Sequence, residues 1–240
     1  MTDATDEVDA VDDVERVEDG DEALEPRRGV SLPVVLFLVV ACMVLAAAVT
    51  YRWDHRGPSF GAVDVGFFDD MTTHHLQAID LATVYTRYGN DPVLLGDSSK
   101  IIFTQAGDIR QMRRALGEWR RSGTPDVAME WMGMSSPQNA QPGMATPEQV
   151  SALSRARGNR LDDLYSALMI NHHAGGLHMA EYAEDHAKTS LARSLARVME
   201  RDQRFEIADM NLYRQKLGLP VHRPGAPVVI SEPSATSSGE

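Results

Sequence analysis

The chain has 240 residues, a single cysteine and a formal net charge of −12, which leaves room for one medium-sized domain with a sizeable core. One cysteine, Cys42, excludes an internal disulfide and any zinc site built from several thiolates. The acidic balance, with no basic face, excludes nucleic acid as a partner.

The acid is unevenly spread. Residues 1–28 hold twelve Asp/Glu against Arg16, Arg27 and Arg28, a local charge of −9, so the rest of the chain carries only −3. Residues 1–29 therefore read as an acidic, solvated, disordered tail. Between Arg28 and Arg52 there is no charged residue, and residues 30–50 are long enough to cross a bilayer as one helix. Cys42 lies within this run and is expected as a buried small hydrophobe. Ala46-Ala47-Ala48 also supplies the small residues a signal peptidase cuts after, but the run exceeds a secretory apolar region and favours an uncleaved anchor. Either outcome exports the rest of the chain, making the protein single-pass in the cell membrane with an extracytoplasmic domain, or secreted.

A linker with Gly57-Pro58 leads to a helix predicted from about Val63 to Tyr88, where Phe67, Met71, His74/His75, Ala78, Leu81/Ala82 and Tyr85 recur on one face. Gly89-Asn90 ends it. Asp91 followed by Pro92 predicts an N-cap and a second helix to about Arg121, with Ile101, Gln105, Ile109, Met112 and Leu116 along one side. Residues 122–146, rich in Pro, Gly, Gln and Met, read as a linker. Thr146-Pro147-Glu148-Gln149 is a capping-box pattern opening a short helix. Two longer helices come next, about Leu161 to Ala187 and Ser190 to Leu217, and Gly218 with Pro220 stops the last. Residues 219–240 read as a disordered tail. No alternating strand pattern competes anywhere. The expected fold is all-α: a domain over residues 60–218 in which two amphipathic hairpins, about 63–121 and 161–217, bury their faces against each other as a four-helix bundle.

The two hairpins share a text. Met71-Thr-Thr-His74-His75 recurs as Met169-Ile-Asn-His172-His173, an offset of 98 residues. The same offset takes Ala82 to Ala180, Gln105 to Gln203, Asp108 to Glu206, Ile109 to Ile207 and Met112 to Met210 without a gap. This register is read as an internal duplication.

Met71 stands three and four residues before the first histidine pair, so it shares their helix face, as Met169 does in the second copy. Met179 falls seven residues after His172 on that face. Thioethers with imidazoles suit Cu(I), and also Ag(I), better than Zn²⁺, Mg²⁺ or Ca²⁺, whereas Cu(II) would rely on the imidazoles. Packing alone rarely requires four imidazoles in fixed register. Met112 and Met210 add sulfurs, while Asp108 and Glu206 are placed to accept the second N–H of a ligating histidine or to cap a polar layer. Met129, Met132, Met134 and Met144 of the linker, around Trp131, suit either metal capture or apolar packing. His178 and His186, near Glu181 and Asp185, read as exposed polar helix before an accessory Cu(II) or Zn²⁺ site. No Glu precedes a His by three residues, as a ferritin-type di-iron centre needs, and no phosphate-binding glycine loop or Gly-x-Ser-x-Gly elbow occurs.

The segments FFDDMTTHHLQAIDLA, QAGDIRQM, GMATPEQVSAL, LDDLYSALMINHHAGGLHMAEYA and QRFEIADM together resemble family 305 among the domains of unknown function, described as ferritin-like. The resemblance covers most of residues 64–215. It implies an exported helical bundle with some members binding copper or silver through His and Met and supporting metal tolerance. Carried over by position, the metal ligands are Met71, His74, His75, Met169, His172, His173 and Met179, with Met112 and Met210 behind them. Asp80 stands in the first copy where His178 stands in the second, so the two halves differ. The expected function is a membrane-tethered, extracytoplasmic copper-binding protein that buffers or delivers Cu(I), with a metallochaperone or exporter as partner and no catalysis. The alternatives are a copper-dependent oxidoreductase on the same ligands and a helical interaction module that binds no metal.

Overall fold

The computed structural model describes residues 31–54, 59–117 and 127–230. The acidic segment, His55, Gly57-Pro58, the expected end of the second hairpin helix near Arg121, the start of the linker and residues 231–240 lie outside the described residues. The chain divides into two units, residues 1–56 and 57–240.

The first unit holds α1, Leu32–Asp54. It is long and apolar enough to cross a membrane. Its side chains are uncovered by protein. Cys42 is accordingly exposed, not buried as its apolar neighbours suggested, because a uniformly apolar helix has no protein-facing side to bury it in.

The second unit is a four-helix bundle of α2 (Ala62–Tyr88), α3 (Pro92–Gly117), α5 (Asn159–His186) and α6 (Ser190–Lys216), with a short α4 (Pro147–Arg155) laid across it. Local chemistry sets the helix ends. Asp91 Oδ1 accepts the N–H groups of Val93 and Leu94, both at 2.9 Å, and Pro92 takes the first helical position. Thr146 and Gln149 form the reciprocal capping box of α4. Asp64, on the first turn of α2, accepts the N–H groups of Gly61, Lys188 and Thr189 at 3.0, 3.0 and 2.8 Å. One buried carboxylate thereby ties the start of α2 to the α5–α6 turn.

α2 and α3 form one hairpin, α5 and α6 the other, and α2 packs on α5. These two central helices run antiparallel: Asp64 meets the end of α5, while Tyr85 stacks on Tyr165 near its start, with ring centroids 4.4 Å apart. The Tyr85 hydroxyl donates to Asp162 at 2.6 Å.

The bundle has two apolar clusters, one at each end. The first gathers Phe67, Phe68, Met71, Ile109, Met112, Met179, Ala183, Leu195 and Met199; the second gathers Leu81, Tyr85, Leu94, Ile101, Leu161, Tyr165, Met169 and Met210. On every long helix the residues between the clusters are polar: His74/His75 on α2, Gln105/Asp108 on α3, His172/His173 on α5 and Gln203/Glu206 on α6. A polar layer thus crosses the middle of the core.

Two loop expectations are corrected. Residues 127–146 are not a free linker: Val127–Ala128 and Ser136–Pro137 pair as a two-residue antiparallel ladder, β1 and β2, around a 3₁₀ turn at Glu130–Met132. Asp70 of α2 holds this turn by accepting from the Met129 N–H (2.7 Å), the Trp131 Nε1–H (2.7 Å) and the Gln138 amide (2.9 Å). Gly66 makes room, since a Cβ there would sit 2.2 Å from the Trp131 ring. Residues 219–230, expected as disordered, lie along the bundle as a strap. The Asn171 side chain donates to Ala226 O and accepts from the Gly225 N–H, both at 2.8 Å, and Asn211 pairs with the His222 backbone. Side chains satisfy the strap's backbone groups without regular secondary structure, so its Pro and Gly content did not reveal it.

Candidate metal centre

All four histidines of the two pairs are at most 2 % exposed. The two copies meet in one layer, with the His74 and His172 rings 3.8 Å apart between centroids and tilted by 38°. His74 Nε2 faces the Pro142 carbonyl at 3.1 Å; a carbonyl only accepts, so this nitrogen carries the proton. His173 Nε2 lies 2.6 Å from Glu206 and His75 Nε2 lies 3.5 Å from Asp108. Burial alone would push Glu206 up, but the His173 hydrogen bond, with help from Lys100 at 3.4 Å, holds it below the ordinary carboxylate range. Ionised, it is an acceptor and fixes the His173 proton on Nε2.

Four further ring nitrogens stand in the layer, His74 Nδ1, His75 Nδ1, His173 Nδ1 and His172 Nε2. None has a hydrogen-bond partner, and all are buried. Burial, then the neighbouring His75, lowers the His74 pKa to about 3; burial, then His74, pushes His172 well below its ordinary value. Both are therefore neutral near pH 7 and keep a ring lone pair. This donor set fits a metal that takes imidazole nitrogen, with Glu206 and Asp108 orienting the rings from behind. The side chains are not pre-arranged around an ion, because among the described residues no three His, Cys, Asp or Glu converge on one point. Ring rotation, or completion by sulfur, is needed to close a coordination shell.

The thioethers do not converge on one side of the layer. Met71, Met112 and Met179 lie in the first apolar cluster together with Met129 and Met199, while Met169 and Met210 lie in the second. The split follows from antiparallel packing. Met71 and Met169 each precede a histidine pair, but their helices run in opposite directions.

Sequence reasoning missed several residues here. Gln77 pairs with the Ala145 backbone through two bonds, Nε2–H to O at 2.9 Å and Oε1 from N–H at 2.7 Å. With the His74–Pro142 contact this clamps residues 142–145 over the layer as a lid. Gly175 receives the lid, and a Cβ there would stand 1.8 Å from Pro142 O. Gly143, at φ +79°, makes the turn. The signal available in sequence was the pair Gly175-Gly176 inside a helix, which is unfavourable by roughly 1 kcal/mol per glycine relative to alanine and marks close backbone approach. Met132 is half-buried against the first cluster and Met134 is exposed. The exposed His178 lines a groove beside the lid, while His186 stacks on Tyr182 with centroids 4.1 Å apart.

Solved structures share this architecture. A DUF305 protein from Streptomyces coelicolor, described as secreted, is 30 % identical with a TM-score of 0.62 over 67 % of this chain and 97 % of its own. A DUF305 fragment from Deinococcus radiodurans is 28 % identical, TM-score 0.57, over 66 % and 99 %. CopM in its Cu(I)-bound and Cu(II)-bound forms is 25 % identical, TM-score 0.52, over 64 % of this chain and 96 % and 97 % of those chains. No curated protein matches the chain. The model of the domain of unknown function DUF305 matches residues 64–214, and the chain belongs to that family.

Proposed function

We propose that the bundle binds soft monovalent metal ions, Cu(I) first and Ag(I) by the same chemistry, and buffers or hands them on without catalysing a reaction. The observation that carries this reading is the central layer of four buried imidazoles, each with an unpartnered ring nitrogen. It is flanked on both sides by methionine sulfur. Leaving such nitrogens unsatisfied costs about 1–3 kcal/mol each, a large share of a domain's usual net stability of about 5–15 kcal/mol. An ion that accepts their lone pairs removes that cost. Neutral imidazole with thioether selects Cu(I) over harder cations, and CopM, at 25 % identity, is described in Cu(I)- and Cu(II)-bound forms. α1, long and apolar enough to cross a membrane, serves in this reading as a single-pass anchor, holding the domain outside the cytoplasm for a metallochaperone or exporter to unload.

The test is a Cu(I) titration of the full chain in detergent against a competing chelator, beside a variant with His74, His75, His172 and His173 all changed to Asn. Tight binding by the native chain that falls at least ~100-fold in a variant of unchanged helical content supports the reading. Equal binding by both removes the histidine layer as the site.

A further inference from the structure

Outside the histidine layer a groove of about 530 Å³ runs along α5. Its floor includes Asn171, Gly175 and His178; one wall is the lid at Pro142 and Met144, the other the strap at Pro224 and Gly225. Both walls are fixed. Gln77 holds the lid through the Ala145 backbone, and Asn171, from the floor itself, holds the strap through Ala226 O and the Gly225 N–H. Asn171 Oδ1 also lies 3.2 Å from His222 Nε2.

Two residues lining this groove have side chains with lone pairs that soft ions prefer, the exposed His178 (imidazole) and the half-buried Met144 (thioether). Unlike the four layer histidines, His178 is exposed. Pro142 belongs to both places, since it lines the groove while its carbonyl accepts the His74 Nε2–H at 3.1 Å. Pro142 thus joins the groove to the layer. In the other half the position matching His178 is the exposed carboxylate Asp80.

We propose that the groove is an outer site for one soft monovalent ion, held by His178 and Met144, from which the ion enters past Pro142 to the buried histidines. This rests on the metal-binding reading above and adds the route. A site of two ligands open to water binds more weakly than a buried one with four imidazoles, and that ordering is what inward transfer requires. The His74–Pro142 contact is the latch that opens on entry.

The experiment uses the full chain in detergent with ¹³C-methyl-labelled methionine and Ag(I) as the probe. The Met144 methyl signal, assigned through M144L, is expected to shift at sub-stoichiometric Ag(I), before the buried methionine signals change. H178N should abolish that early shift. The H178N/M144L double variant should fill the buried site at least ~10-fold more slowly in rapid mixing, with its final affinity within about twofold of the native chain's. A Met144 signal unmoved at saturation, or unchanged loading in the double variant, overturns the outer site while leaving the buried site standing. Absence of any Ag(I) or Cu(I) binding by the native chain overturns the metal reading itself, and the route with it.

Discussion

Gly175→Ala offers a test in which two physical effects have opposite signs. Alanine in place of a helical glycine normally stabilises by about 1 kcal/mol. At position 175, however, the new Cβ would stand 1.8 Å from Pro142 O and 2.9 Å from Gly143 N, both backbone atoms that no side-chain rotation can move aside. The lid must recede by roughly 1–2 Å to restore ordinary contact. That breaks the His74–Pro142 bond and the paired Gln77–Ala145 bonds. Three hydrogen bonds at about 1 kcal/mol each outweigh the helical gain, leaving a net loss of about 2 kcal/mol. For a domain of this size, that lowers Tm by about 4–8 °C. Gly96→Ala is the control, since it sits in α3 with nothing within 4 Å of its added Cβ, and should raise Tm by about 2–4 °C. Calorimetry or thermal circular dichroism on both variants decides the matter. If Gly175→Ala stabilises as Gly96→Ala does, the lid is not seated on α5.

Acid should weaken the fold through the buried histidines. The His74 pKa is lowered to about 3 and His172 lies well below its ordinary 6.5, by burial first and neighbouring imidazoles next, with His222 shifted the same way by burial and Arg214. The unfolded chain takes up the two layer-histidine protons below pH 6.5 and the folded chain does not, so stability is complete at pH 7 and falls as pH drops below 6.5, down to about 3 for His74, by up to about 1.4 kcal/mol per pH unit for each of these two groups and by less for the part-exposed His222. Asp97, raised to about 6 by burial and Glu206, opposes this between pH 6 and 3.8 but is outnumbered. Urea midpoints at pH 7.5, 6.5 and 5.5 should decline, and H74Q/H172Q should flatten the decline; an unchanged slope would refute the assignment. Asp70→Ala removes three acceptor contacts from the Met129–Gln138 turn; it should cost about 3 kcal/mol and red-shift tryptophan emission, whereas unaltered emission would show that the turn stands without it. The sulfur-rich end of the core should favour Cu(I). Met71, Met112 and Met179 changed together to Leu should lower Cu(I) affinity at least ~10-fold more than Met169 and Met210 changed together, as read by chelator competition, and equal losses would mean that sulfur placement is irrelevant.

Much of this protein was legible in sequence because it depends on local rules. The face of Phe67, Met71, His74/His75 and Tyr85, the Asp91-Pro92 cap and the Thr146–Gln149 box rest on helix period and backbone capping, which need only neighbours within a few residues. The histidine pairs and their 98-residue register were equally plain. Tertiary structure alone decided what those residues meet. Antiparallel packing of α2 on α5 brought His74 and His172 into one layer and sent Met71 and Met169 to opposite ends, although sequence made them equivalents. It also turned a presumed linker and tail into a lid and a strap, because the groups that hold them, Asp70, Gln77 and Asn171, act across 54 to 68 residues of chain. Periodicity reports which side of a helix is buried, but the partner and direction across that face are set by how the helices pack.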